Sequence, residues 1–239
     1  MTHTDEPTPE ALPRDVKLYM FPGSNSVRTA ELMLRHKDIA YEQVILKRGA
    51  HVTQLPALGF TGTTVPALEI DGRLVQRTRE ISRALDLVKP EPRLFPIDLT
   101  DRVRIEDAER WGEDLQNAAR RLFYCAMTRT RADPIDHLAA RTYGATDAAA
   151  RRDLAELPAR LDQIDAWINA GVLGGAELNA ADFQIAPNIA WLLCFQDIGP
   201  FVHHRPAAAH AIRVSDKNRR HIPRLFADEW LTPLRSHGT

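Results

Sequence analysis

Cysteine is scarce: two among 239 residues, Cys125 and Cys194. Each stands alone inside an apolar, helix-like run, and neither forms a C-x-x-C pair. That excludes dithiol redox chemistry and zinc-ribbon sites, and leaves two reduced core thiols as the simple reading. An excess of charge is missing too. Lys and Arg number 31 against 32 Asp and Glu, a formal net charge of -1, which gives no electrostatic case for nucleic acid. No apolar run approaches the roughly 18 residues a bilayer span needs, so no membrane partner is expected. The opening MTHTDEPTPEALPRD is polar, acidic and Pro-rich rather than a signal sequence, and residues 1–14 read as a loose tail. The histidines of VHHRPAAAHAIR (His203, His204, His210) keep no ligand spacing with a carboxylate or Cys, so no metal is expected. With 44% hydrophobic and 26% charged residues, the chain has the profile of a soluble globular protein, and the two reduced thiols go with a cytoplasmic location.

What the chain does have is concentrated in TVPALEIDGRLVQRTREISRAL, Thr64 to Leu85. Ala67, Leu68 and Ile70 form a short apolar strand, Asp71-Gly72 a tight turn, and Leu74-Val75 a second strand. Pro66 opens the first strand, where no ladder donor is required. A cis Val65-Pro66 bond would turn the Val65 backbone outward, an edge able to hold a peptide-like ligand. Upstream, Val16, Leu18 and Met20 alternate with Lys17, Tyr19 and Phe21 as a strand. The loop FPGSNS follows, then a helix with Val27, Ala30, Met33 and Leu34 on one face. Tyr41, Val44 and Leu46 suggest a second, parallel strand. The order is β-α-β, a less regular stretch over 48–63, then β-β-α.

After Leu94-Phe95-Pro96 and the polar IDLTD the period changes to about 3.6. Ile105, Ala108, Trp111, Leu115, Ala119, Leu122 and Ala126 trace one face of a long helix. Leu154, Leu157, Leu161, Ile164 and Ile168 trace another, with Pro158 expected to kink it and Gly171 to follow its end. Asn179 precedes Asp182 by three residues, a capping-box spacing ahead of a strongly apolar run. Arg120, Arg121, Arg129 and Arg131 read more simply as a solvated helix face than as an anion patch.

The V-P-A-L hairpin and the later N-x-x-D box, in this order, resemble the glutathione transferases. The resemblance covers about residues 15 to 200. It implies an α/β thioredoxin-like N-terminal domain (15–95), a linker (96–101) and an all-α C-terminal domain (102–239), behind the tail at 1–14. It also implies glutathione as co-substrate, a small electrophile as second substrate and a homodimer. By the same resemblance the thiol lies against Val65 and Pro66, with Asn25 close by. Ser24 would stabilise the thiolate; Ser26 is the alternative, or simply the N-cap of the first helix. Thr78 would hold the γ-glutamyl carboxylate as hydroxyl donor and N-cap. Arg77 stands where relatives carry an acid or Gln; it suits a carboxylate or phosphate instead, although Glu80 lies near. Trp111 and Leu115 are the residues expected to meet the electrophile. A non-catalytic module of the same fold, and an enzyme using a different thiol, are the rival readings.

Overall fold

The computed structural model describes residues 13–215 and 221–236. The tail expected over 1–14 lies, as far as residue 12, outside the described residues. From Arg14 the chain is tied down, because the Arg14 and Asp15 N–H groups donate to Asp71 Oδ1 at 3.0 and 2.9 Å.

The first half is a four-stranded sheet with helices. Strand β1 (Val16–Met20) leads through α1 (Asn25–His36) to β2 (Glu42–Ile45), and α2 (His51–Ala57) follows. The hairpin β3 (Ala67–Ile70) and β4 (Arg73–Gln76) then feeds α3 (Thr78–Val88). Sheet order is β2-β1-β3-β4, with β1 parallel to β2 and the other pairs antiparallel. The Asp71-Gly72 turn has φ of 46° and 82°, the two positive values that a two-residue I′ hairpin demands. Leu18, Leu34, Leu55, Leu68, Ile81 and Leu85 are fully buried between the sheet and its helices.

The second half is helical: α4 (Leu99–Thr130), α5 (Pro134–Tyr143), α6 (Asp147–Asn169), α7 (Ala180–Leu192), α8 (Gly199–Val202), α9 (Pro206–Ser215) and, after a 3-10 turn, α10 (Thr232–Ser236). Helix α4 starts at Leu99, inside the stretch read as a linker. The cause is Asp98, whose carboxylate accepts the Thr100 and Asp101 N–H groups at 2.9 and 3.0 Å. Helix α6 continues through Pro158, and Gly171 follows its end with φ of 70°. Of the α4 stripe, Ile105, Ala108, Leu115, Ala119, Leu122 and Ala126 are buried. Helix α7 is buried at every position, which explains why its sequence lacks a polar face. Cys125 and Cys194 are buried and form no disulfide, and burial pushes the Cys125 thiol up.

The halves are joined by buried polar groups. Glu109 on α4 accepts from Ser82 Oγ at 2.7 Å and pairs with Arg83 of α3. Asn25 of α1 donates its side-chain amide to Asn188 of α7. Gly112 lets α4 approach α7, since a Cβ there would stand 2.8 Å from Gln184 Cγ. No helix among the described residues is long and apolar enough to cross a membrane.

Candidate functional site

A cleft of about 1000 Å³ opens where the two halves meet, between the start of α1, the Val65-Pro66 segment, the start of α3 and one face of α4. Its floor follows from local geometry. Gly23, with φ of 85°, turns the chain out of β1 so that α1 begins at Asn25 with Ser24 as its N-cap residue. The Ser24 side chain makes no capping hydrogen bond, so the first N–H groups of α1 and their positive dipole end stay uncommitted.

Ser26 is not the N-cap. It is the second residue of the helix, buried, and its hydroxyl donates to the Val65 carbonyl at 3.1 Å. Ser24 Oγ lies 3.2 Å from Ser26 Oγ. A hydroxyl has one proton to give. With the Ser26 proton committed to Val65, Ser24 is the donor of the pair, and its proton is the one able to turn toward a ligand.

The Val65-Pro66 bond is cis, and both residues line the cleft. The loop before them is held by Gln76, which accepts from Gly62 N–H at 2.6 Å and donates to the Gly62 and Thr64 carbonyls. Asn25 lines the cleft but spends its amide on Asn188, whose own amide donates to the Gln184 carbonyl at 2.7 Å. Its role is to fasten α1 to the helical half.

Thr78 is buried and lines the cleft as the first residue of α3, while Arg77 takes the N-cap position assigned to Thr78 by sequence. Arg77 adopts φ of 67° and ψ of 142°, a conformation costing on the order of 1–3 kcal/mol for a non-glycine residue. It makes no side-chain cap, and its exposed guanidinium has no ion pair among the described residues. Glu80 is exposed and outside the cleft lining, so it does not offset Arg77 there.

The α4 wall differs from the expectation. Leu115 is 1% exposed, inside the core, and Trp111 packs edge-on against Trp167 at 5.0 Å over a separate, shallower groove. Neither lines the cleft. At about 100° per residue, the apolar stripe that carries them faces the core, and the cleft receives the next face round. That face presents Gln116, Arg120, Phe123, Tyr124, Met127 and Arg131, with Tyr143 and Trp191 beside them. The four arginines do not act together. Arg121 grips Asp153 through two bonds of 2.6 and 2.7 Å, and Arg129 pairs with Asp147 at 2.6 Å. Only Arg120 and Arg131 of the four reach the cleft lining.

On the opposite side Arg48 pairs with the buried carboxylate of Asp136. Burial, then the nearby Arg48 charge, hold His51 below the ordinary imidazole range, so it is a neutral cleft residue at pH 7. Sequence reasoning passed over Arg48, His51, Gln76 and the amides of α7. The one local signal was Gln184 and Asn188, four apart in an otherwise apolar helix. Buried amides at that spacing need partners from other elements.

Residues 18–93 match the family model described as glutathione S-transferase, N-terminal domain. Among solved structures, the chain is similar to a glutathione S-transferase from Rhodospirillum rubrum F11, with 19% identity, 92% and 91% of the two chains covered, and a TM-score of 0.60. Poplar glutathione transferase F1 gives 16% identity, 94% and 98% coverage and a TM-score of 0.65. The β-etherase LigF from Sphingobium sp. strain SYK-6 gives 18% identity, 84% and 99% coverage and a TM-score of 0.62. Comparison with curated protein sequences yields no match. At these identities the structural likeness speaks for the fold: a thioredoxin-like sheet half followed by a helical half. The sheet half thus matches the N-terminal domain model of the glutathione S-transferases, and the fold shared with solved members of that family runs through nearly the whole chain.

Proposed function

We propose that this protein is a glutathione transferase-like enzyme that joins a thiol to a small electrophile. The observation that carries the reading is the proton accounting at the start of α1: with the Ser26 proton on Val65, Ser24 is the serine of the two whose proton can turn from its partner to a ligand, beside uncapped helix N–H groups. A thiol has an ordinary pKa near 8.5, and both features favour its thiolate. The Val65-Pro66 backbone would carry the thiol's peptide part, and Thr78 with the first N–H groups of α3 a carboxylate of the same ligand. Catalysis then consists of thiolate stabilisation plus proximity to the electrophile. A two-fold dimer and a cytoplasmic location go with this reading as family expectations.

Arg77 favours a second reading, in which the thiol is more acidic than glutathione at its far end. Calorimetric titration with reduced glutathione tests both. Micromolar to low-millimolar binding, tightened by Arg77→Glu, supports glutathione itself. No heat and no thermal shift with glutathione, for either variant, would remove it as the co-substrate.

A further inference from the structure

Arg120 stands apart from the other half-buried arginines of the described residues. Each of the others has a carboxylate oxygen at salt-bridge distance, from Arg28 on Glu31 to Arg205 on Asp165. Arg120 has none. Its guanidinium contacts Asn117 Oδ1 at 3.3 Å and lies 4.5 Å over the Tyr143 ring. A guanidinium that has given up part of its hydration without gaining a counter-ion is ready to bind an anion. Resting on a ring face keeps its planar edge available for two parallel hydrogen bonds.

The rings continue from there. Tyr143 stacks on Tyr124 at 5.7 Å and 12°, Tyr124 meets Phe123 edge-on at 5.3 Å, and Phe123 stacks on Trp191 at 4.5 Å and 21°. All of them line the cleft with Arg120. The cleft's acids compete weakly for that arginine. Asp136 is held by Arg48, Glu113 faces Arg79 at 3.5 Å, and Asp114 is set about 120° away from Arg120 around α4.

We propose that the electrophile taken by this cleft is a flat aromatic molecule bearing an anionic group. Its ring lies against Phe123, Tyr124 and Tyr143, and its anion is held by Arg120. This deepens the thiol-transfer reading and rests on it. With a halogenated nitroaromatic acid, the thiolate sulfur bonds to the ring carbon. The halide leaves with the bonding electron pair, and the thiol proton passes to solvent.

Two paired probes test it. Chlorodinitrobenzoate and its uncharged amide, chlorodinitrobenzamide, are compared as substrates with glutathione. Anilinonaphthalenesulfonate and uncharged phenylnaphthylamine are compared as binding dyes without it. Arg120→Gln should lower kcat/KM for the acid and affinity for the sulfonate by about tenfold or more, with the uncharged members within about twofold. Arg120→Lys should fall between. Arg110→Gln, a control on an exposed arginine paired with Asp107 outside the cleft, should change neither pair. Equal losses on charged and uncharged members, or no loss on the charged ones, would overturn the proposal. Failure of the thiol-transfer reading looks different: neither substrate turns over, while sulfonate binding still depends on Arg120.

Discussion

In the helical half, α4, α5, α6 and α7 each begin with a side chain that closes their first turn. Asp98 does so for α4, Asp133 for α5 and Thr146 for α6. Asn179 does so for α7, with Asp182 answering it in a complete capping box. In the sheet half, α1 and α3 begin at Ser24 and Arg77, and neither side chain caps. Ser is among the best N-cap residues, so its idleness at α1 is informative. None of the four capping side chains lines the cleft. The open starts of α1 and α3 face the cleft, and so does that of α2, which follows Ala50 without a side-chain cap and places His51 in the lining; the four-residue α8, after Ile198, is uncapped away from it. Helices α4 to α7 have their first turns closed by side chains, whereas the helix starts at the cleft are open where a ligand can satisfy them.

The largest expected effect on that contrast comes from the acid of the α7 box. Asp182 is raised to about 6, chiefly by burial, and His210, 3.2 Å away, is lowered to about 4 by burial and then by Arg213. A raised acid contributes stability below its unfolded pKa and loses it as pH rises through about 6. A lowered histidine contributes stability above its unfolded pKa and loses it as pH falls through about 4. Between those values the folded pair holds one proton and so does the unfolded pair, so the two contributions offset. His210→Gln removes one side. Denaturant melts of that variant should then show stability rising as pH drops from 6.5 toward 4, by up to about 2 kcal/mol relative to wild type. A pH-independent difference would show that Asp182 does not titrate as a buried acid.

Asn179→Ala, which opens a closed end, should cost about 1 kcal/mol in denaturant melts and leave thiol affinity unchanged. Ser24→Ala, at an end already open, should change stability by less than about 0.5 kcal/mol, because no cap is lost. Equal costs for the two variants would erase the distinction between the two classes of helix start.

Much of this contrast was legible in the chain. The Asn179-x-x-Asp182 box and the Asp71-Gly72 turn are local, with a spacing that maps directly onto backbone hydrogen bonds or positive φ. The halves and most core stripes followed from periods of two and 3.6. What escaped depends on distance or on counting partners. Asn25 and Asn188 lie 163 positions apart, and no local rule joins them. Trp111 and Leu115 were assigned to the cleft because they are apolar, although an apolar stripe is claimed first by the core. Ser24 and Ser26 could not be ranked until the Val65 carbonyl was seen to take the Ser26 proton. Arg120 is one of four similar arginines in sequence; half-burial without a carboxylate partner among the described residues sets it apart from the paired Arg121 and Arg129 and the exposed Arg131.

The central claim, that the open start of α1 stabilises a thiolate through Ser24, is tested most directly by titrating bound glutathione. The ultraviolet absorbance of the thiolate, followed against pH on wild type and Ser24→Ala, reports the pKa of the bound thiol. In wild type that pKa should lie below the free-thiol value near 8.5 and rise by about one unit in Ser24→Ala. A thiol that titrates identically on both proteins, or glutathione that does not bind either, would contradict the account.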